Sequence, residues 1–184
     1  MPFPKCGNPP MLDMQLYLTE LSVRCLLNRI HHALHFTGNT SDSTGHPPTE
    51  SGDSVSPPQL PSGSLIRICT ELERQLKDWY DALPDGIRPD LSQSREMIGD
   101  PHRCLLRLRY WSARLIIYRP FVIYTTSNLA NGELAPVVLD NCEACVSSCR
   151  SFLYSAGDIL STSSPYTYGV IQSSVSPLPA NTCL

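Results

Sequence analysis

The sequence predicts an all-α fold, an irregular array of about four main helices. Two features predict it: apolar residues recur at helical spacing in four separate stretches, and no stretch alternates long enough to form a sheet. Segments rich in Ser, Pro and Gly interrupt these stretches and hold too little apolar surface to offset the entropy lost on ordering. We therefore expect one helical domain over 11–160, with disordered chain at 1–10, in a long internal loop at 37–63 and in a C-terminal tail at 161–184.

Charge and length narrow the function classes. The 184 residues hold 14 Lys and Arg against 17 Asp and Glu, a net charge of −3, whereas a self-sufficient nucleic-acid binder usually has a basic excess. No apolar run reaches the roughly 18 residues that span a bilayer, and the N-terminal residues lack the apolar segment of a secretory signal. We expect a reducing compartment, in which the eight cysteines are mostly small core residues.

The first predicted helix covers 11–36 and carries two apolar rows. One row is Met14, Leu18, Leu21 and Cys25, and the other is Leu16, Val23, Leu27, Ile30 and Leu34. Because two rows make a wide apolar face, we expect this helix to be largely enclosed. Glu20 and Arg24 lie four residues apart, in the favourable order for an ion pair.

The second predicted helix covers 64–83 and shows one apolar face. That face comprises Leu65, Ile68, Cys69, Leu72, Leu76, Trp79 and Leu83. The helix should end at Leu83, because the following proline disfavours the helical region for the residue before it. The residues from Ile87 to Gly99 read as a loop.

The third predicted helix covers 101–124. Asp100 is a favourable N-cap and Pro101 a favourable first residue. Apolar residues surround this helix nearly completely, so we expect it to be central and to contact the first helix. Pro120 should kink or end it.

The fourth predicted helix covers 137–160, after the plausible first-turn Pro136. Its apolar face comprises Val138, Cys142, Cys145, Cys149, Phe152, Leu153, Ala156 and Leu160.

Two clusters are candidate metal sites. Cys142, Cys145 and Cys149 have the spacing of a helical core stripe, and a structural zinc site needs a fourth ligand, which only Cys104 or His102 would supply from elsewhere in the chain. His31, His32 and His35 resemble the paired histidines of metalloenzyme helices but lack the glutamate of an HExxH motif. For both clusters we favour a structural interpretation and expect no bound metal.

Five arginines concentrate in the third predicted helix, at positions 103, 107, 109, 114 and 119. They are either a phosphate-contacting surface or structural groups at the edge of the core, where each needs an acidic partner. We favour structural pairing. The candidate partners are Glu71, Glu73, Asp78 and Asp81 on the preceding helix.

No catalytic motif stands out. The sequence has no phosphate-binding glycine loop, no GxSxG motif and no plausible Cys/His nucleophile arrangement. We therefore expect no catalytic residues, no bound cofactor and no enzymatic activity.

Four sequence runs together resemble the fungal-specific transcription factor domain, the middle homology region of fungal zinc-cluster regulators. The runs are YLTELSVRCLLNRIHHALH, ELERQLKDWYDALPDGIRPDLS, LRLRYWSARLIIYRPFVIY and NCEACVSSCRSFL, and the resemblance covers roughly residues 15–160. The family-motif residues are Arg109, Tyr110, Arg114, Tyr118, Arg119, Pro120 and Phe121.

The resemblance implies a helical region that regulates transcription in the nucleus through intramolecular, effector or partner contacts. Members usually carry a DNA-binding zinc cluster of six cysteines, and that array is missing from these 184 residues. This chain is thus expected to bind duplex DNA only weakly by itself, to hold no zinc and to be a piece of a longer regulator. Expected partners are another regulator or a second copy, with a small-molecule effector as a further candidate, and no membrane. The alternative is a helical interaction or ligand-binding scaffold, or a truncated remnant, without transcriptional activity.

Overall fold

The computed structural model describes residues 11–39, 63–92, 100–128 and 134–161. These residues form four α-helices: α1 (Met11–Asn39), α2 (Gly63–Asp81), α3 (Pro101–Asn128) and α4 (Pro136–Ser161). The four described ranges contain no strand, and the all-α prediction is confirmed. Most of the chain predicted to be disordered lies outside the described residues; the exceptions, 37–39, Gly63 and Ser161, are helical.

Helix α3 is the centre of the arrangement. It packs against α1, α2 and α4, and its contact with α4 is the most extensive. Helices α1 and α2 also contact each other, whereas α4 packs on α3 alone among the described helices. The predicted contact between the first and third helices is confirmed, and none of the described helices is long and apolar enough to cross a membrane.

The main core lies where α1 and α2 meet α3. Its buried members are Leu26, Leu27 and Ile30 of α1, Cys69, Leu72 and Leu76 of α2, Ala113, Ile116, Ile117 and Phe121 of α3, and Val138 of α4. The predicted apolar face of α2 therefore points into the core. Trp79 extends that face, and its indole N–H donates a hydrogen bond of 2.9 Å to Ser22 Oγ on α1.

The prediction that α1 is largely enclosed is wrong for its N-terminal half. Val23 and Ile30 of the second apolar row are fully buried, but every member of the first row is exposed. We call this first row the α1 outer row: Met14, Leu18, Leu21 and Cys25. It is exposed because α2 and α3 both pack on the opposite side of α1, and no other described helix contacts α1.

The predicted end of the third helix at about 124 is also wrong, because α3 continues through Pro120 to Asn128. A proline inside a helix removes one backbone hydrogen bond and crowds the preceding turn. Ile117 and Phe121 flank the proline, and both are fully buried in the core. Burial of these two side chains offsets the local cost and keeps the chain helical past Pro120.

Helix α4 faces α3 with smaller side chains than the apolar pattern predicts. Leu153 and Leu160 were expected in the core and are exposed, whereas Ser148, Ser151 and Ser155 are buried. Two of these hydroxyls donate to backbone carbonyls of their own helix, Ser148 Oγ to Ala144 at 2.6 Å and Ser155 Oγ to Ser151 at 2.8 Å. Ser148 Oγ also accepts a hydrogen bond of 3.4 Å from Arg114 on α3. The small size of the serines lets the two helices approach closely.

Candidate functional site

The arginine-rich helix α3 is the candidate site, and Arg109 is its most buried charge. The Arg109 side chain is 1% exposed, and its Nη2 donates to Glu20 Oε1 on α1 at 2.7 Å. The same carboxylate oxygen accepts from Arg24 Nε at 2.8 Å, which confirms the predicted Glu20–Arg24 pair. Burial lowers the pKa of Arg109, and the negative charge of Glu20 offsets part of that effect.

Arg114 occupies a second ion pair, between α3 and α2. Its Nε donates to Glu73 Oε1 at 2.8 Å, and its guanidinium lies 6.0 Å from the Trp111 ring centre and 5.6 Å from that of Tyr118. Burial alone would lower the pKa of Arg114, but the hydrogen bond to Glu73 and the charge of that carboxylate outweigh burial, so the pKa is raised.

The first two arginines of α3 hold the loop that follows α2. Arg103 donates to the Gly86 carbonyl at 3.1 Å through Nε, and Arg107 donates to the Ser92 carbonyl at 2.8 Å. Asp100, on the same turn as Arg103, lies 3.9 Å from it. These contacts fix the path of residues 82–92 against α3. Sequence reasoning missed them, because backbone carbonyls leave no side-chain signal.

The predicted acidic partners are right for one residue only. Glu73 pairs with Arg114, whereas Glu71 and Asp78 pair with Arg74 within α2, and Asp81 pairs with Lys77. The prediction is wrong for these three acids because each has a basic neighbour three or four residues away on its own exposed helix surface.

Glu20 was missed as a partner of α3. Arg24, four residues later, already gave Glu20 an ion-pair partner, so there was no reason to seek a second partner such as Arg109. The useful signal was its spacing on α1: Glu20 lies three residues before Val23 and seven before Leu27, beside the second apolar row.

Of the aromatic residues in the sequence run that resembles the fungal family, Tyr110 lies between α3 and α2, whereas Trp111, Tyr118 and Phe121 make ring contacts within α3. Tyr110 packs against Tyr80 of α2 with ring centres 5.4 Å apart and against Trp111 at 5.2 Å. Tyr118 lies 6.4 Å from the buried Phe121. Pro120 is half-buried and Arg119 is exposed, so Arg119 is the motif cation that faces solvent. The functional role of the motif stays a prediction.

Two of the three cysteines of α4, Cys142 and Cys145, contact α3. Cys142 Sγ lies 3.2 Å from Thr125 Oγ1, and Cys145 Sγ lies 3.8 Å from the Leu115 carbonyl oxygen. Burial raises the pKa of Cys145 to about 11, which favours the neutral thiol over the thiolate that binds metal.

Within the described residues, no cluster of three or more His, Cys, Asp or Glu side chains is arranged to hold a metal. Of the candidate ligands from other elements, His102 is exposed and Cys104 is half-buried. His31 is half-buried and His32 exposed, and the side chain of His35 lies outside the described part of the chain. Zinc binding by either cluster stays a matter for direct measurement.

Comparison with known proteins gives a distant relative. Over 92 residues, or 50% of this chain, the sequence is 26% identical to "Activator of stress genes 1" of Saccharomyces cerevisiae (strain ATCC 204508 / S288c). The chain is distantly similar to a yeast activator. The match spans only 9% of the yeast protein. No family model matches the chain, and no solved structure matches it.

Proposed function

We propose that this chain is a regulatory helical region of a fungal zinc-cluster transcription factor, which acts in the nucleus through protein or effector contacts and does not itself read DNA. The observation that carries the proposal is the similarity of half of the chain to a yeast activator of stress genes. The LRYWSARLIIYRPF run supplies the family assignment, because it resembles the middle homology region of those regulators.

The geometry of α3 supports a role without DNA contact. Phosphate binding needs accessible cations, and four of the five arginines of α3 are already engaged: Arg109 with Glu20, Arg114 with Glu73, and Arg103 and Arg107 with backbone carbonyls. Arg119 is the exposed member. A net charge of −3 adds a weak repulsion of phosphate. We also propose that the chain has no enzymatic activity.

The test of the regulatory role is a reporter assay in yeast. The 184-residue chain is fused to a heterologous DNA-binding domain, and the reporter is compared with that domain alone. A change in expression, in either direction, supports the proposal. An unchanged reporter, with the fusion folded and present in the nucleus, would favour the alternative of a scaffold or remnant without transcriptional activity.

The proposal that the chain does not itself read DNA is tested by titration of the purified chain against duplex DNA at about 0.15 M salt. We expect no sequence-specific binding, and we expect Arg119→Ala to behave like the unchanged chain. Specific binding at about 10⁻⁸ M or tighter would contradict the proposal. It would mean that the arginines of α3 leave their intramolecular partners to contact phosphate.

A further inference from the structure

An unpartnered apolar row runs along the side of α4 that faces away from α3. Its members are Leu139, Val146, Leu153 and Leu160, which we call the α4 heptad row. Each follows the previous one by seven residues, and each is between 49% and 63% exposed. The row spans about 32 Å of helix at 1.5 Å per residue. Among the described helices α4 contacts α3 alone, so none of them covers this row.

A seven-residue apolar interval is the spacing at which two helices pack along their length. A straight apolar row of this length is a surface that a second helix packed along α4 would cover.

The charges beside the row identify that helix. Glu143 and Arg150 lie seven residues apart on the same side of the row, both are exposed, and they have opposite charges. In a parallel pair the same residue lies on opposite flanks of the interface in the two copies, so Glu143 and Arg150 would lie near the second copy's uncharged Val138 and Cys145 and would form no ion pair. An antiparallel copy places each glutamate beside the other chain's arginine.

One antiparallel register pairs Leu139, Val146 and Leu153 and also brings the opposite charges together, and Leu160 then lies beyond the paired segment. With the two-fold axis at Val146, Leu139 of one copy faces Leu153 of the other, and the two Val146 side chains meet at the axis. In that register Glu143 and the second copy's Arg150 differ by one residue, about 1.5 Å along the helix. We propose that two copies of this chain associate through antiparallel α4 helices, with this register. The inference does not depend on the proposed function.

The interface involves one helix from each copy, so it falls among small interfaces, below about 1,200 Å². We therefore expect a dimer that dissociates in the micromolar range. The measurement is sedimentation equilibrium of the full chain across that range, with circular dichroism to check that each variant keeps its helices.

The first variant is Val146→Lys, which places two ammonium groups at the axis of the dimer. We expect the dimer to weaken at least tenfold. Because Val146 is exposed and lysine is a good helix former, the fold should be retained. The matched control is Leu18→Lys on the α1 outer row, an equally exposed apolar residue, and it should leave the dimer unchanged.

The second test addresses the register. Glu143→Arg should weaken the dimer roughly three- to tenfold, because two ion pairs become two repulsive pairs. The double variant Glu143→Arg with Arg150→Glu should restore the original affinity, since it recreates both pairs with their signs exchanged.

Three results would overturn the proposal. The first is that the unchanged chain is monomeric across the whole micromolar range. The second is that Leu18→Lys abolishes association while Val146→Lys does not. The third is that the double charge exchange forms a dimer as weak as that of the single variant. The first result would mean that something other than a second copy covers the row. The second would assign association to α1, and the third would exclude the antiparallel register.

Discussion

At the scale of single residues, Arg109 and Arg114 show how burial and a nearby carboxylate shift the pKa of a guanidinium in opposite directions. Arg109 is the more enclosed, and burial outweighs Glu20, so its pKa falls. Arg114 keeps more solvent contact and has Glu73 at 2.8 Å, so its pKa rises. Both residues stay charged at neutral pH, because an arginine pKa lies far above it. Glu20 therefore compensates the buried charge of Arg109.

The first prediction concerns this pair. Glu20→Leu leaves the Arg109 charge buried without its carboxylate, and we expect the free energy of unfolding to fall by about 3 kcal/mol. The double variant Glu20→Leu with Arg109→Met should lose clearly less than the sum of the two single variants, because an apolar pair needs no charge compensation. Urea unfolding at pH 7 measures all three.

Arg24→Met is the matched control for the comparison of single and double variants at positions 20 and 109. It removes the other cation on the same Glu20 oxygen, but the Arg24 side chain is 39% exposed. We expect a loss of at most about 0.5 kcal/mol. Additive single-variant losses at positions 20 and 109 would contradict the prediction, since they would show that the two side chains contribute independently.

The second prediction concerns pH. Burial raises the pKa of the Cys69 thiol to about 12, and in the unfolded chain a cysteine titrates near about 8.5. Above that value the unfolded state releases a proton that the folded state retains, so alkali favours unfolding. The stabilisation is complete below pH about 8.5 and is lost progressively as the pH rises toward about 12.

For one thiol the expected loss is about 1.4 kcal/mol for each pH unit above the unfolded pKa. Denaturant unfolding from pH 7 to 10 measures it. Cys69→Ser removes the titrating group while a hydroxyl keeps a donor toward the Ile117 carbonyl, 3.3 Å from the sulfur. This variant should lose stability less steeply with pH. An identical slope in both proteins would mean that the thiol is not protected by the fold.

At the scale of the elements, the sequence predicts where helices exist better than where they end. Asp100 and Pro101 mark the start of α3 because capping is a local interaction: the Asp100 carboxylate accepts a hydrogen bond of 2.9 Å from the His102 backbone N–H. Pro120 is just as local a signal for a kink or an end, and the helix does not end there, because Ile117 and Phe121 near it are buried against the other helices. The start of α3 therefore depends on local capping, whereas its continuation past Pro120 depends on packing against the other helices.

The third prediction tests that cap. Asp100→Ala leaves the first turn of α3 without its side-chain acceptor, and we expect a loss of about 1 kcal/mol. Asp100→Asn keeps the acceptor and should stay close to the original stability. Thermal unfolding distinguishes the two variants. If both lost the same amount, the charge of Asp100, which also lies 3.9 Å from Arg103, would be the stabilising feature instead of the cap.

The faces of the helices were predictable only where large apolar residues are buried. The α2 pattern is correct because α2 has one apolar side. Helix α1 has two apolar rows, and α4 has apolar residues both on its α3 side and along its exposed row, so the pattern alone does not say which side meets a neighbour. In α4 the serines, and not Leu153 or Leu160, face α3. The site on α3 was predictable as a set of paired arginines, but the identity of the partners depends on contacts as distant as 89 residues, from Glu20 to Arg109.

At the scale of the whole molecule, the helices divide into two unequal parts around α3. Helices α1, α2 and α3 supply all the buried residues of the main core except Val138 of α4, and this core buries large aliphatic and aromatic side chains. Helix α4 packs on α3 alone among the described helices, through an interface rich in serine. Burial of serine contributes little compared with burial of leucine or phenylalanine. The free energy that holds α4 in place should therefore be smaller than the free energy of global unfolding.

The last prediction follows from that asymmetry and is tested by native-state hydrogen exchange in dilute solution. Amides in the middle of α3 should exchange only through global unfolding, whereas those of α4 should exchange through a separate opening of lower free energy. Ser151→Leu forces a larger side chain into the buried α3–α4 interface, where Ser151 is 2% exposed. It should lower the opening free energy of α4 by about 1–3 kcal/mol, with a smaller change in α1 and α2. Ser147→Leu makes the same substitution at an exposed position of α4 and should leave the opening free energy nearly unchanged. If α4 and α3 exchanged together in the unchanged chain, the four helices would unfold as one cooperative unit, and the small side chains between α3 and α4 would have to stabilise the molecule by close packing alone.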